Sequence, residues 1–282
     1  MAPTTRPDPG RRRASDLAWT ALRPLLRLQL EHFRHVIRSG TFPATRSAAV
    51  DPAADVAADR VAWLGSTASA RFGVVDDDLT TLSRVAAAVG GSRRRGFAWL
   101  EVAPRALTVR EAADRSSAEP AADEGAGARD RAPGVGAAPV DPATGVGTDV
   151  GTDVDATVVA LGFSDVLLMT SVADWTADLD RLLDAARHPG RVLSPVLVAG
   201  IPPMDRFRQA PRLGRVRIRH QVRRLNAASE ALVRRRGDCV FVPFPDTGDA
   251  SLGHEYWSWS TVHQLWSAAL APELTRVLDE DA

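Results

Sequence analysis

No lysine occurs among the 282 residues, so all 35 basic side chains are arginine, and they are matched by 35 acidic ones. Replacing lysine by arginine, beside abundant alanine, is the bias of a GC-rich coding sequence and carries no functional signal. Zero formal charge argues against a nucleic-acid binder, which ordinarily carries a basic excess. Cysteine occurs once, as Cys239, which excludes an internal disulfide framework and a cysteine-rich metal centre. Long apolar runs are also missing. No stretch reaches the roughly 18 apolar residues that a bilayer span needs. The N-terminal segment lacks the uninterrupted apolar core of a secretion signal, because Asp16, Arg23, Arg27, Glu31 and Arg34 break it. The expectation is a soluble cytoplasmic protein.

What is present is enough apolar residue, 45%, for one sizeable core. Residues 1–56 read as an N-terminal amphipathic helix followed by a linker, and 57–282 as one domain. Within 16–38, Leu22, Leu25, Leu26, Leu30, Phe33 and Ile37 recur at helical spacing. Such a helix packs on its own domain or, with its arginines, lies on a membrane surface; packing is the favoured reading. Residues 39–56, with scattered proline, alanine and aspartate, read as the linker.

From residue 58 the pattern alternates. "RVAWLG" (60–65), "FAWLEVA" (97–103), "ATVVALG" (156–162), "SPVLVAG" (194–200) and "DCVFVPFP" (238–245) read as strands. Helices are predicted over 77–90, from "TVREAA" onward, over 172–187, near 214–236 and over 259–278. Strands apolar throughout, separated by helices, imply a parallel sheet covered on both faces. The fold class is α/β, a three-layer α/β/α sandwich with a five-stranded parallel sheet of flavodoxin-like kind. Between about 116 and 155 the chain is rich in Ala, Gly, Pro and Asp, repeats "GTDVGTDV", and has no hydrophobic period. It reads as a disordered insertion. In the arginine-rich helix near 214–236, Val216, Ile218, Val222 and Leu225 mark a buried stripe, and the arginines a solvated face. His263 is expected at an exposed position on the closing helix.

In parallel sheets the ligand site lies beyond the carboxyl ends of the strands, so the loops after Leu64, Ala103, Leu161, Gly200 and Pro245 are the ones to inspect. The first is "VAWLGSTASARFGV", an apolar strand running into a glycine and two hydroxyls. Taken in order, "TVREA", "VVALGFSD", "VAGIPPMDRF", "VFVPFP" and "LWSAALAPEL" resemble bacterial SGNH hydrolases, the GDSL-type esterases and lipases. The likeness covers roughly 58–115 and 155–278.

What the resemblance implies is a triad with preorganised donors. A GDS serine attacks an ester, and a glycine N–H and a GxND asparagine complete the oxyanion hole. The histidine of a DxxH motif is the base, oriented by that motif's aspartate. Laid over this chain without gaps, the pattern is substituted almost everywhere. GDS becomes Gly65-Ser66-Thr67, with Thr67 in the nucleophile position and Ser66 in the aspartate's. The oxyanion-hole glycine falls on Ala106. GxND becomes Gly162-Phe163-Ser164-Asp165, with Ser164 for the asparagine, while Gly162 and Asp165 persist as the structural part of that motif. In "HEYWSWSTVHQLW", His254 takes the aspartate position and Trp257 the histidine's.

Indole has an N–H donor and no acceptor, so Trp257 cannot take a proton. Losing a triad base costs on the order of 10⁶ in turnover. The expected function is a pseudoenzyme that binds a small-molecule ligand, an acyl ester or a protein, without cofactor or metal and without nucleic acid. The alternative is an active carboxyl-ester hydrolase that uses Ser66 or Thr67 with His254 after a shift of the last loop, the histidine being oriented by Asp249 or Asp246. The Tyr256, Trp257 and Trp259 cluster either fills the old cleft or stacks on a ligand.

Overall fold

A computed structural model describes residues 58–65, 77–102, 106, 108–117, 154–187, 194–206, 214–246 and 257–280. Five strands carry the sheet: β1 Asp59–Leu64, β2 Phe97–Val102, β3 Ala156–Val159, β4 Val196–Ala199 and β5 Cys239–Val242. Among the described residues, six helices accompany them: α1 Thr81–Arg93, α2 Val109–Ser117, α3 Phe163–Leu167, α4 Val172–Ala185, α5 Arg215–Arg236 and α6 Trp259–Glu280. Single 3₁₀ turns occupy Asp77–Leu79 and Met204–Arg206. The expected helix 16–38, the linker 39–56 and residues 118–153 of the expected insertion lie outside the described residues.

All neighbouring strands are parallel, in the order β2-β1-β3-β4-β5. This is the doubly wound order in which the chain starts near the middle and reverses direction once. The three-layer α/β/α architecture expected from the apolar pattern is therefore present. Alternation along each strand sorts the core into two halves. Val61 and Trp63, Ala156 and Val158, and Leu197 and Ala199 join the cluster under α1 and α6. Leu64, Val159, Val196 and Val198 join the other, with Leu179, Leu182, Leu225 and Leu232 from α4 and α5.

Local chemistry sets the helix starts. Thr80 caps α1 by accepting the Ser83 N–H at 3.1 Å, and Ser171 caps α4 by accepting that of Asp174 at 3.0 Å. Thr108 does the same for α2, taking the Glu111 N–H at 3.2 Å, so the cap lies within "TVREA" itself. Gly237, at φ 72°, ends α5 with its N–H on the Val233 carbonyl.

The structure corrects several expectations. Val216 is 75% exposed, whereas Ile218, Val222 and Leu225 are buried. Those three follow i, i+4, i+7 spacing, and a residue two positions before Ile218 points to the opposite side of a 3.6-residue helix. His263 is fully buried rather than exposed. It shares the α6 stripe of Ser267, Leu270 and Leu274, and its Nδ1 lies 2.8 Å from the Thr81 hydroxyl of α1. The described residues at both ends of the expected 116–155 segment belong to the fold. Helix α2 continues through Ser117, and Asp155 is already tied to β1, its N–H on the Arg60 carbonyl at 2.7 Å and its carboxylate accepting the Arg60 N–H at 2.6 Å. Two short elements, α3 and the turn at Met204–Arg206, were not expected, because a single turn is too brief to show a period.

Candidate functional site

The single reversal of strand order places a crevice outside the carboxyl ends of β1 and β3. Gly65 ends the first of these strands and Gly162 follows the second. Neither glycine tolerates a side chain. A Cβ on Gly65 would sit 2.6 Å from the Ala160 carbonyl oxygen and 2.9 Å from the Trp63 Nε1. Gly162 has φ 119°, and a Cβ there would come within 2.5 Å of the Ile201 Cδ1. Backbone crowding at both sites therefore accounts for these glycines.

Immediately after Gly162 the chain turns into α3, which carries Ser164 and Asp165, both buried. Asp165 is a tie between loops. One carboxylate oxygen accepts the Val109 N–H at the start of α2, at 3.2 Å, and the other accepts the Thr170 hydroxyl at 3.2 Å. Burial raises its carboxyl to about 6; the two hydrogen bonds oppose that rise, and the nearby Asp178 adds to it. Ala106, just ahead of α2, is completely buried in the same core cluster as Val109 and Val166. The structure thus gathers Ala106, Ser164 and Asp165 at one end of the sheet.

This arrangement sets a pH dependence. The folded carboxyl of Asp165 titrates near 6, against an ordinary value of 3.8. Its contribution is fully present below pH 3.8 and is lost as pH rises through about 6. A rise of that size corresponds to roughly 3 kcal/mol. Asparagine keeps an acceptor for Val109 and a polar partner for Thr170 without the buried charge. Urea melts from pH 4 to pH 7 are therefore expected to show Asp165→Asn gaining on the parent as pH rises. Parallel curves would show that the carboxyl titrates in the ordinary range.

Trp257 occupies the rim near β4 and β5 and is 6% exposed. Its N–H donates to the Arg206 carbonyl at 3.0 Å. Its ring lies 5.6 Å from that of Phe244, and the Arg206 guanidinium covers it at 5.7 Å. Trp259 meets Phe163 at 5.6 Å, and Phe163 lies 6.2 Å from Trp266. An aromatic band therefore joins the start of α6 to the loops after β3 and β5. Of the two readings of the tryptophan cluster, the geometry of Trp257 is that of packing.

Ser66, Thr67 and His254 lie outside the described residues, as do Tyr256 and Asp249. Among the described residues, two other groups with nucleophile or base chemistry are held in packing or hydrogen bonds. The Cys239 thiol is pushed up to about 11 by burial and by its hydrogen bond to Asp238, so it is protonated at neutral pH and is a poor nucleophile. Thr81 and His263 form a hydroxyl–imidazole pair, but both are completely buried between α1 and α6. Also among the described residues, no group of three or more His, Cys, Asp or Glu could hold a metal ion, and no helix is long and apolar enough to cross a membrane.

Sequence reasoning missed Phe244, Arg206 and Phe163 as partners of the tryptophans. The aromatic residues of "VFVPFP" and "GFSD" were visible, but their meeting depends on how three loops fold over the sheet edge. No protein-family model matches the chain, and no curated protein matches it. Among solved structures it is similar to the "Salicylyl-Acyltransferase SsfX3 from a Tetracycline Biosynthetic Pathway", at 14% identity and a TM-score of 0.44. That likeness covers 79% of this chain and 56% of the other, so the chain spans little more than half that structure's length.

Proposed function

We propose that this protein is a divergent SGNH-hydrolase-like domain that has lost ester-hydrolysing chemistry and works by binding a small molecule or a protein. The observation that carries this reading is Trp257. The gapless superposition of motifs assigns it the position of the catalytic histidine, and its ring is packed against Phe244 and Arg206 and shielded from solvent. A side chain in that role must carry a proton between nucleophile and leaving group, and an indole has no acceptor with which to do so. Ser164 in place of the amide, a shorter donor than asparagine, points the same way, whereas Ala106 in the oxyanion-hole glycine's position keeps its backbone N–H. Losing one oxyanion donor alone costs on the order of 10²- to 10³-fold. The proposal carries with it a cytoplasmic location, a compartment in which a lone reduced thiol such as Cys239 is ordinary.

The test is hydrolysis of a short-chain p-nitrophenyl ester by the parent chain and by Ser66→Ala, Thr67→Ala and His254→Ala. The expected outcome is a parental rate at background, matched by all three variants. Robust hydrolysis, lost in one of the two hydroxyl variants and also in His254→Ala, overturns the proposal and establishes a carboxyl-ester hydrolase with a rearranged site.

A further inference from the structure

Helix α5 buries Ile218, Val222, Leu225, Leu232 and Val233 against the sheet and α4. Its other side is exposed and strongly basic. Arg219, His220, Arg223, Arg224, Arg234 and Arg235 all face solvent, and the helix holds one acidic residue, Glu230. From Arg219 to Arg235 the row extends about 24 Å at helical rise.

Two arginines of this row are paired, Arg219 with Asp205 at 2.7 Å and Arg234 with Glu230 at 3.8 Å. Arg276 on α6 has Glu273 and Glu280 one turn to either side, at 3.0 and 2.8 Å. Arg110 and Arg181 reach Asp178 at 3.0 and 2.7 Å, and Arg236 reaches Asp184 at 2.8 Å. Among the described residues, Arg223, Arg224 and Arg235 have no ion pair. Arg219 and Arg223 stand one turn apart, a like-charge spacing that disfavours the helix by a few tenths of a kcal/mol. Helix α6 sets Glu273 and Glu280 around its Arg276, whereas α5 offers its exposed arginines Glu230 alone.

We propose that the exposed face of α5 docks the protein on an anionic phospholipid surface, its guanidinium groups pairing with headgroup phosphates. The apolar side of the helix is committed to the core, so contact is electrostatic and peripheral rather than inserted. Ala227 and Ala231, between the two arginine groups, keep the face low enough for both to reach one plane. A nucleic-acid duplex fits less well. The chain's formal charge of zero lacks the basic excess that a duplex binder ordinarily carries. The exposed residues of this face include no Phe, Tyr or Trp on which single-stranded bases could stack. The inference is independent of whether ester chemistry survives.

The experiment is co-sedimentation of the full chain with vesicles of mixed phosphatidylserine and phosphatidylcholine, and with phosphatidylcholine alone. Binding is expected only to the anionic vesicles and is expected to vanish at high salt. Each arginine at such a surface contributes about fivefold. Arg223→Gln, Arg224→Gln and Arg235→Gln together should therefore lower the partition coefficient about a hundredfold, with the circular-dichroism melt unchanged. The parent's salt dependence is a readout that needs no variant. Failure of the parent to sediment with anionic vesicles, equal binding to neutral ones, or a triple variant that binds like the parent overturns the proposal. So does preferential capture of the parent by duplex DNA in competition with the vesicles. Leu25→Glu with Leu30→Glu supplies the opposing arm: binding lost there but kept in the arginine variant assigns the contact to residues 16–38 and sinks the α5 proposal.

Discussion

Trp257→Ala is expected to lower stability by about 3–5 kcal/mol, the usual cost of emptying a tryptophan-sized site in a core. At roughly 2–4 °C per kcal/mol for a domain of this size, the melting temperature should fall by on the order of 10 °C. The reason lies in what the ring touches. It stacks on Phe244, lies beneath the Arg206 guanidinium, and belongs to the cluster that also contains Met204, Ile201 and Val262. Trp257→Phe keeps most of the apolar contact and should cost distinctly less. Trp257→His should be destabilising and should not create esterase activity, since an imidazole there would face apolar walls. Differential scanning calorimetry of the three variants decides the matter. A melt unchanged by Trp257→Ala would mean that the ring lines an open cleft, and the packing account of Trp257 would fail.

Gly162→Ala should be similarly damaging, by about 2–6 kcal/mol. Two costs combine. At φ 119° the backbone is where residues with a side chain pay strain of about 1–3 kcal/mol. Overpacking adds about 1–3 kcal/mol, because the new Cβ meets the Ile201 Cδ1 at 2.5 Å and Cγ1 at 2.7 Å, with Trp175 at 3.1 Å. A double-mutant cycle separates the two. Ile201→Val removes the Cδ1 methyl, so Gly162→Ala should cost less in that background, and the difference measures the part of the clash that this methyl carries. Denaturant melts of the four proteins provide the numbers. If Gly162→Ala leaves the midpoint unchanged, Gly162 is not held in this conformation and the tight β3–α3 turn is not what demands a glycine.

Both substitutions act where loops converge, and that is where sequence reading was weakest. The glycines Gly65 and Gly162 were legible as punctuation after apolar strands, and their positions at strand ends followed from the α/β pattern. The reasons were not legible. Gly65 is excluded from a side chain by the Ala160 carbonyl, almost a hundred residues away, and Gly162 by Ile201 on a different strand's loop. Asp165 was legible as part of a motif. That its carboxylate would bind the first turn of α2 and be lifted toward 6 by burial depends on which groups surround it in space.

Taken by itself, the sequence determined the architecture. Uninterrupted apolar strands such as "RVAWLG" and "SPVLVAG" can be stable only when covered on both faces, and helices of 3.6-residue period between them supply that cover. Caps at Thr80, Thr108 and Ser171 are local hydrogen bonds, so the helix starts were also close to being local properties. Tertiary structure decided what no local pattern encodes: which side of α6 His263 faces, and that Trp257 is packing. Periodicity gives a helix its faces, but the neighbour that covers a face is chosen by chain topology. A tryptophan in a loop has the same sequence signature whether it lines a cleft or fills one. Only the convergence of Phe244 and Arg206 on its ring separates the two.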